Sequence, residues 1–245
     1  MRLKVFLLLL AVLWIGAVSA SPKGALCLTF DDRFLENWEK AIPLFQKYNA
    51  RATFFIYGRI DGPVIASLKK LQDAGHSIGL HGVKHRRAVN YIKERGMEEY
   101  MKNEIMPQLD ICRKNGINVR SFAYPYSQRT IESDKKLFEK FDFLRTNCSA
   151  VKKNGQTLAA ADGCFVKKVD KKQLFYGFPA SGKFDMEEVK AAMTRVAKEN
   201  SVLVFYAHNI TEKLPRSHHI SISQLTELLI FAEKLGIAVC GMNEL

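Results

Sequence analysis

The architecture of this chain follows from the segment Ala25–Asp32, which reads ALCLTFDD. Its first six residues carry no charge and predict a strand buried on both faces, as strands in parallel sheets are. Two carboxylates follow this strand directly. Because neighbouring residues on an extended chain point to opposite sides, Asp31 and Asp32 are free to take different roles. Taken alone, the pair fits the N-terminus of a helix better than it fits a catalytic site.

Short apolar runs alternate with amphipathic helical segments from this point to the end of the chain. The predicted strands are residues 25–30, 52–56, 76–80, 119–124, 143–146, 174–178, 202–206 and 237–240. The predicted helices are residues 38–48, 63–74, 98–115, 133–140, 186–198 and 223–235. This alternation predicts an α/β fold with a mostly parallel sheet, and seven or eight repeats predict closure into a (β/α) barrel.

Polar residues follow several of these strands, where a barrel gathers its chemistry. Asp31 and Asp32 follow the first strand, His81 the third and His208 the most apolar one. His85 stands four residues after His81, so the two imidazoles face one way if the segment turns helically and can then bind one metal ion. One aspartate and two histidines fit either a hydrolytic zinc site or a non-haem iron oxygenase. The second carboxylate and His208, a candidate general acid, favour hydrolysis.

The N-terminus predicts export. Arg2 and Lys4 precede an uncharged apolar run, and small residues up to Ala20 suit signal-peptide cleavage there. The apolar run is shorter than the roughly 20 residues of a membrane span, which disfavours a retained anchor. We therefore expect a signal peptide over residues 1–20, one domain over residues 21–245, no stable membrane insertion and a periplasmic or extracellular monomer.

The charge is strongly basic, with 37 basic and 25 acidic residues and a net charge of +12. Loss of Arg2 and Lys4 leaves 35 basic against 25 acidic residues, or +10. This balance favours anionic partners such as cell wall or acidic glycan. Basic residues are spread along the chain without a nucleic-acid motif, so we expect no nucleic-acid partner.

Five cysteines leave at least one unpaired thiol in an exported protein. Cys27 and Cys240 lie in apolar strands and are expected to be small buried hydrophobic residues. Cys148 and Cys164 either form a disulfide across a loop or remain thiols, and the sequence leaves both open.

Five motifs in order resemble the polysaccharide deacetylases, the NodB-like group of carbohydrate esterase family 4. They are residues 29–32, 52–55, 75–85, 122–126 and 205–208. The resemblance implies a distorted (β/α) barrel, a polysaccharide substrate and a divalent metal ion, zinc first and cobalt or nickel otherwise. Asp31 is then the catalytic base and His208 the general acid, while Asp32, His81 and His85 are the metal ligands.

The same resemblance implies how the rim of the site works. The backbone amide of Tyr126 helps to hold the oxyanion, and Tyr124 and Pro125 lie beside the substrate. Arg33 stands where the family usually has glycine, and it either binds an acidic group of the substrate or covers the site. The form Phe-Ala-Tyr-Pro-Tyr at residues 122–126 is similar to the exopolysaccharide branch of the family.

Two further positions depart from the family pattern. Gly82 stands where Ser or Thr is common, which predicts weaker support of the metal ligands. Ala123 stands where many members have an arginine that orients the catalytic aspartate. The family also has an acidic partner for the histidine that corresponds to His208. No motif places this partner here, and Asp162 and Asp170 are the candidates.

Four functions compete on this sequence. Removal of N-acetyl groups from an amino-sugar polysaccharide leads, and removal of O-acetyl groups from a xylan-type polymer uses the same machinery. The departures at Arg33, Gly82 and Ala123 motivate a glycan-binding protein that has lost activity. The iron oxygenase is disfavoured by the barrel and by the adjacent Asp31.

Overall fold

The computed structural model describes residues 23–150, 153, 155–179, 184–213 and 218–245. The expected signal peptide, residues 1–20, lies outside this part of the chain. The strands are β1 Ala25–Asp32, β2 Thr53–Ile56, β3 Ser77–Leu80, β4 Val119–Ala123, β5 Phe143–Asn147, β6 Phe165–Val166, β7 Gln173–Pro179, β8 Val202–Ala207, β9 Asn209–Thr211, β10 His219–Ser221 and β11 Ala238–Cys240. The helices are α1 Leu35–Lys40, α2 Ile42–Lys47, α3 Gly62–Asp73, α4 Ala88–Arg95, α5 Met97–Tyr100, α6 Met106–Lys114, α7 Ile131–Leu137, α8 Met186–Glu199 and α9 Ile222–Leu235.

Seven parallel strands form a closed barrel in the order β1-β2-β3-β4-β5-β7-β8, and β8 pairs back onto β1. The predicted (β/α) barrel of seven or eight strands is therefore confirmed, with seven. Connections between parallel strands require crossovers, and helices supply most of them outside the barrel. All seven strands thus present their carboxyl ends at one opening.

The barrel is irregular where β1 meets its neighbours. β11 pairs with the first half of β1 at Ala25–Cys27, and β2 pairs with the second half at Thr29–Asp32. One edge of β1 is therefore shared between two strands. β6 adds an antiparallel pair to β8, and β9 and β10 form a separate two-stranded ribbon after the barrel.

Successive side chains of a barrel strand point alternately into the barrel and towards the helices, which divides the buried residues into an inner and an outer cluster. A small inner cluster, which includes Cys27, Phe55, Phe143 and Val204, fills the barrel, whereas the larger outer cluster joins the other strand faces to the helices. Thr29 and Asp31 share the face of Cys27, and Arg145 shares that of Phe143. The sequence pattern therefore carries Asp31 and Arg145 to the top of the barrel interior.

Several local predictions need correction. The predicted helix 98–115 is divided into α5, a π-helical turn at Met101–Ile105 and α6, because Pro107 has no N–H for a continuous α-helix. Helix α4 and strands β6, β9 and β10 were not predicted. All five cysteines are buried, which confirms Cys27 and Cys240 as core residues, and no disulfide joins Cys148 and Cys164. In the described part of the chain, no helix has the length and apolarity to cross a bilayer.

Candidate active site

The open end of the barrel holds a cavity of about 420 Å³. Seven of the residues that line it come from the predicted set: Asp31, Asp32, His81, His85, Tyr124, Tyr126 and His208. They reach it from the ends of β1, β3, β4 and β8 and the loops that follow. The structure therefore brings these side chains together at one opening of the barrel, as expected, while their catalytic roles stay predictions.

Asp32, His81 and His85 aim their ligand atoms at one point. The two Nε2 atoms of His81 and His85 are 3.0 Å apart, and Asp32 Oδ1 lies 3.9 and 3.7 Å from them. Two ligands of a tetrahedral zinc ion, each about 2.0–2.1 Å from it, lie roughly 3.3 Å apart. The three ligand atoms all lie within 4.8 Å of one another, so this donor set fits a divalent metal ion.

The tautomer of His81 suits metal binding. Its Nδ1 donates a hydrogen bond to the Ala123 carbonyl oxygen over 2.7 Å, which leaves the Nε2 lone pair facing His85 and Asp32. Burial lowers the pKa of His81 to about 3 and also lowers the pKa of His85. Both imidazoles are therefore neutral at neutral pH, the form that binds a metal.

Asp32 is held in a strained, partly exposed position. Its φ of +82° lies in the region that favours glycine, and it turns the carboxylate away from the strand. Burial, followed by the nearby charge of Asp31, raises the pKa of Asp32 to about 6 in the metal-free protein. A cation at this point would reverse that effect, because opposite charge favours the ionised carboxylate.

The segment that joins the two histidines is a loop, not the helical turn that the spacing suggested. Gly82 and His85 both have positive φ, +83° and +53°. Buried Glu104, from the π-helical turn, holds the loop, since its Oε2 accepts from the Lys84 amide over 2.8 Å. Its carbonyl oxygen accepts from the Val83 amide. These hydrogen bonds hold the loop between His81 and His85 in place.

Glu104 also explains the glycine at position 82. A Cβ on Gly82 would lie 3.1 Å from Glu104 Oε2, at a φ that side chains rarely adopt. A serine or threonine, which the family pattern would place here, would therefore be strained and would require the Glu104 carboxylate to shift. The loop that joins His81 and His85 is supported by Glu104 instead, a residue that no sequence motif indicated.

Asp31 is buried against Arg145. The Arg145 guanidinium contacts both carboxylate oxygens of Asp31, and their side chains are 1% and 3% exposed. Burial raises the pKa of Asp31, but the charge of Arg145, aided by His81 and His208, more than offsets it, and the pKa is lowered. Asp31 is therefore ionised at neutral pH, as a base must be.

Arg145 lies next to position 123, where the sequence lacks the arginine of the family pattern. Ala123 on β4 and Arg145 on β5 are direct register partners, so the two positions are at the same level of the barrel. Its cationic carbon lies 5.4 Å from the Phe55 ring and 4.7 Å from the Tyr206 ring. On β7, Gly177 leaves room, as a Cβ there would be 3.2 Å from Arg145 Cδ.

His208 faces the same cavity from the end of β8. Its Nε2 lies 4.0 Å from Asp32 Oδ2, and its Nδ1 donates to the carbonyl oxygen of His218 over 3.0 Å. The partner of its Nδ1 is thus a backbone carbonyl, while Asp162 pairs with Arg195. Burial lowers the pKa of His208.

The loop around His208 is anchored to α1. Trp38 Nε1 donates to the His208 carbonyl oxygen over 2.8 Å, and Asn37 Nδ2 donates to Asn209 Oδ1 over 2.8 Å. His218 and His219, which follow in the chain, line the cavity beside it.

The predicted rim residues divide into two groups. The exposed Tyr126 ring lies 4.6 Å from the His85 ring at the mouth, and buried Tyr124 lines the cavity but donates its hydroxyl to Asp134 over 2.8 Å. Pro125 and Arg33 are not among the residues that line the cavity. The Arg33 guanidinium donates to the Arg59 carbonyl oxygen over 2.6 Å, and both roles expected for Arg33, binding an acidic group of the substrate or covering the site, stay predictions.

Backbone strain is concentrated at this cavity. Seven non-glycine residues in the described chain have positive φ, and five of them line it: Asp32, His85, Tyr126, Ser127 and His218. Such conformations persist where the surrounding structure enforces them, and they cluster at functional sites.

Comparison with known proteins agrees with this geometry. The polysaccharide deacetylase family model matches residues 19–140, and the chain belongs to this family. The matched region carries Asp31, Asp32, His81 and His85 but ends before His208. Membership indicates a hydrolase of the deacetylase or esterase type. No curated protein sequence matches the chain significantly.

Solved structures share the fold at low sequence identity. A carbohydrate esterase family 4 esterase from Streptococcus mutans has a TM-score of 0.58 and 17% identity, over 89% of this chain and 86% of that one. The chitin deacetylase of Colletotrichum lindemuthianum has a TM-score of 0.56 and 15% identity, over 92% and 88%. The D285S mutant of the Bacillus subtilis peptidoglycan deacetylase PdaC has a TM-score of 0.52 and 16% identity, over 90% and 89%.

Proposed function

We propose that this protein is a metal-dependent hydrolase that removes N-acetyl groups from an amino-sugar polysaccharide. The observation that carries the proposal is the single cavity in which a buried, ionised Asp31 lies beside the converging ligand atoms of Asp32, His81 and His85. Asp31 Oδ2 is 4.0 Å from His81 Nε2, a spacing that suits a base next to a metal ion.

Asp32, His81 and His85 would hold the ion, and one carboxylate with two imidazoles suits zinc, with cobalt or nickel as alternatives. Bound there, the ion would polarise the acetyl carbonyl and lower the pKa of a water molecule. The remaining steps belong to side chains and backbone groups of the protein.

Asp31 accepts the proton of the water that attacks the acetyl carbonyl carbon. Arg145 keeps Asp31 ionised and fixes its position, which limits the entropy lost on reaching the transition state. The Tyr126 backbone amide donates to the developing oxyanion. The positive φ of Tyr126, +54°, sets the direction of the backbone there.

His208 in its protonated form gives a proton to the leaving nitrogen, and the carbon–nitrogen bond breaks. The products are acetate and a free amine on the sugar. Because burial lowers the pKa of His208, the imidazolium is a stronger acid than usual and gives up its proton readily. The hydrogen bond from Nδ1 to the His218 carbonyl oxygen keeps Nε2 directed at the cavity.

We further propose that residues 1–20 direct export and that residues 21–245 form one catalytic domain, which works as a monomer in the periplasm or outside the cell. The apolar N-terminal run and the net charge of +12 support this location, because the expected substrates lie there.

Acetate release tests the function. The purified protein is loaded in turn with Zn²⁺, Co²⁺ and Ni²⁺ and offered chitin oligomers, poly-N-acetylglucosamine, peptidoglycan and acetylated xylan. Release from an amino-sugar polymer that is lost in His81→Ala supports the proposal. Release from acetylated xylan alone would favour the O-acetyl esterase. No release, with tight metal binding retained, would favour the glycan-binding alternative.

A further inference from the structure

We propose that a second, cationic cavity beside the active site binds an anionic group of the glycan, next to the acetylated sugar. This inference rests on the proposed function and adds a substrate class to it, the acidic polysaccharides. The second cavity, of about 350 Å³, lies between residues 84–87, in the loop that carries His85, and helix α4. His85 and Tyr126 line both cavities, so the two are neighbours.

The second cavity carries an excess of positive charge. The exposed side chains of Lys84, Arg86 and Arg87 line it, and Glu94 is the only carboxylate among its lining residues. In the described part of the chain, no carboxylate is ion-paired with these three cations. Buried Glu104 attracts Lys84 and Arg86 electrostatically and offsets part of their charge, and the remaining positive charge is available to an anion from outside.

The backbone beneath these cations is fixed. Buried Glu104 accepts from the Lys84 amide through its carboxylate and from the Val83 amide through its carbonyl oxygen, and this loop carries both His85 and the cations. A ligand in the second cavity is thus held at a constant distance from the metal ligands. A loop fixed in this way loses little conformational entropy when an anion binds.

Arg87 is oriented by an aromatic ring at the boundary of the two cavities. Its guanidinium carbon lies 4.0 Å from the centre of the Tyr126 ring. Stacking occupies one face of the guanidinium and leaves its edge N–H groups for contacts in the plane, which match a carboxylate or phosphate in a bidentate way. The Tyr126 amide is the proposed oxyanion donor, so an anion at Arg87 belongs to the sugar next to the reacting one.

Binding of matched oligosaccharides tests the proposal. The probes are a hyaluronan tetrasaccharide, which carries carboxylates beside N-acetylglucosamine, and the same oligosaccharide with its carboxylates methyl-esterified. Calorimetry with the metal-loaded protein should give a Kd roughly tenfold lower for the carboxylate form. The difference should shrink at about 0.5 M NaCl, because salt screens exposed charges. Competition by glucuronate or by inorganic phosphate separates a uronic acid from a phosphorylated glycan.

Variants locate the site. Arg87→Gln and Arg86→Gln should each reduce the preference for the carboxylate form severalfold, and the second variant leaves the Tyr126 stack in place. Lys93→Gln, on α4 but outside the cavity, makes the same charge change and should keep the preference. Equal affinity for both forms, or a preference that survives both arginine variants, would overturn the proposal.

Turnover separates this inference from the proposed function. If wild-type protein releases acetate from chitin tetraose but shows no carboxylate preference in binding, the second cavity is not an anion site and the deacetylase stands. If the preference is present but acetate is released from none of the oligosaccharides, the anion site stands and the deacetylase does not.

Discussion

Replacement of Arg145 by methionine should destabilise the protein strongly, because it leaves the Asp31 carboxylate buried and unpaired. The two side chains are 1% and 3% exposed in the native pair. Removal of one partner from such a pair costs about 3–5 kcal/mol. For a domain of this size, each kcal/mol lowers Tm by about 2–4 °C, so we expect a fall of roughly 6–20 °C.

The loss should depend on pH. With Arg145 present, the lowered pKa of Asp31 contributes stability above the unfolded value, and this is lost as the pH falls through the folded pKa. Without Arg145, burial alone raises the pKa of Asp31, so the carboxylate destabilises the variant at neutral pH. The deficit of Arg145→Met should therefore be larger at about pH 7.5 than at about pH 4.5, near the reference carboxyl pKa of about 3.9.

Thermal unfolding with a chelator present measures the stability lost in Arg145→Met, at each pH, for the metal-free protein. Arg120→Met is the matched control, because Arg120 pairs with Asp142 at the surface, with side chains 39% and 26% exposed, and should lose about 1 kcal/mol or less. The double variant Arg145→Met/Asp31→Asn should recover much of the lost stability. If Arg145→Met costs no more than Arg120→Met, or if the double variant shows simple additivity, the pairing argument is refuted.

Three further predictions concern the metal site and the barrel. Glu104→Ala should weaken Zn²⁺ binding about 10- to 100-fold by calorimetry, with exposed Glu99→Ala as an unaffected control, and equal affinities would contradict the role of Glu104. The Kd for Zn²⁺ should rise about tenfold for each pH unit below about 6, because a proton competes for Asp32, and a flat profile there would contradict its raised pKa. Gly79→Ala should cost about 1–3 kcal/mol in denaturant unfolding, since its Cβ would lie 2.4 Å from a phenylalanine ring, whereas Gly62→Ala has open space and should be nearly neutral.

Much of the fold was predictable because burial patterns in parallel sheets are strong. The apolar run at β1 and the continuous apolar run at β8 predicted strands, and both lie in the barrel wall. Helix ends were also predictable from the sequence. Gly236, for example, ends α9 in the left-handed conformation. Elements such as β9, with 3 residues, and α4, with 8, are too short for a periodic pattern to define them, and tertiary contacts decide them.

The candidate site was predictable where its residues follow strands. Asp31, His81 and His208 come directly after or at the end of buried strands, so the barrel rule gathers them. Arg145 and Glu104 were missed because neither lies in a motif. A charged residue at an inward position of a strand, as Arg145 is on β5, was the available signal, since such a charge must be paired when buried.

The most direct test of the central claim compares wild-type protein with Asp31→Asn. Both are loaded with Zn²⁺ and incubated with chitin tetraose, while acetate release and Zn²⁺ affinity are measured on the same samples. Acetate release by the wild type that falls at least about a hundredfold in Asp31→Asn, with Zn²⁺ still bound, is the predicted result for loss of a general base. Equal acetate release by the two proteins would contradict the account.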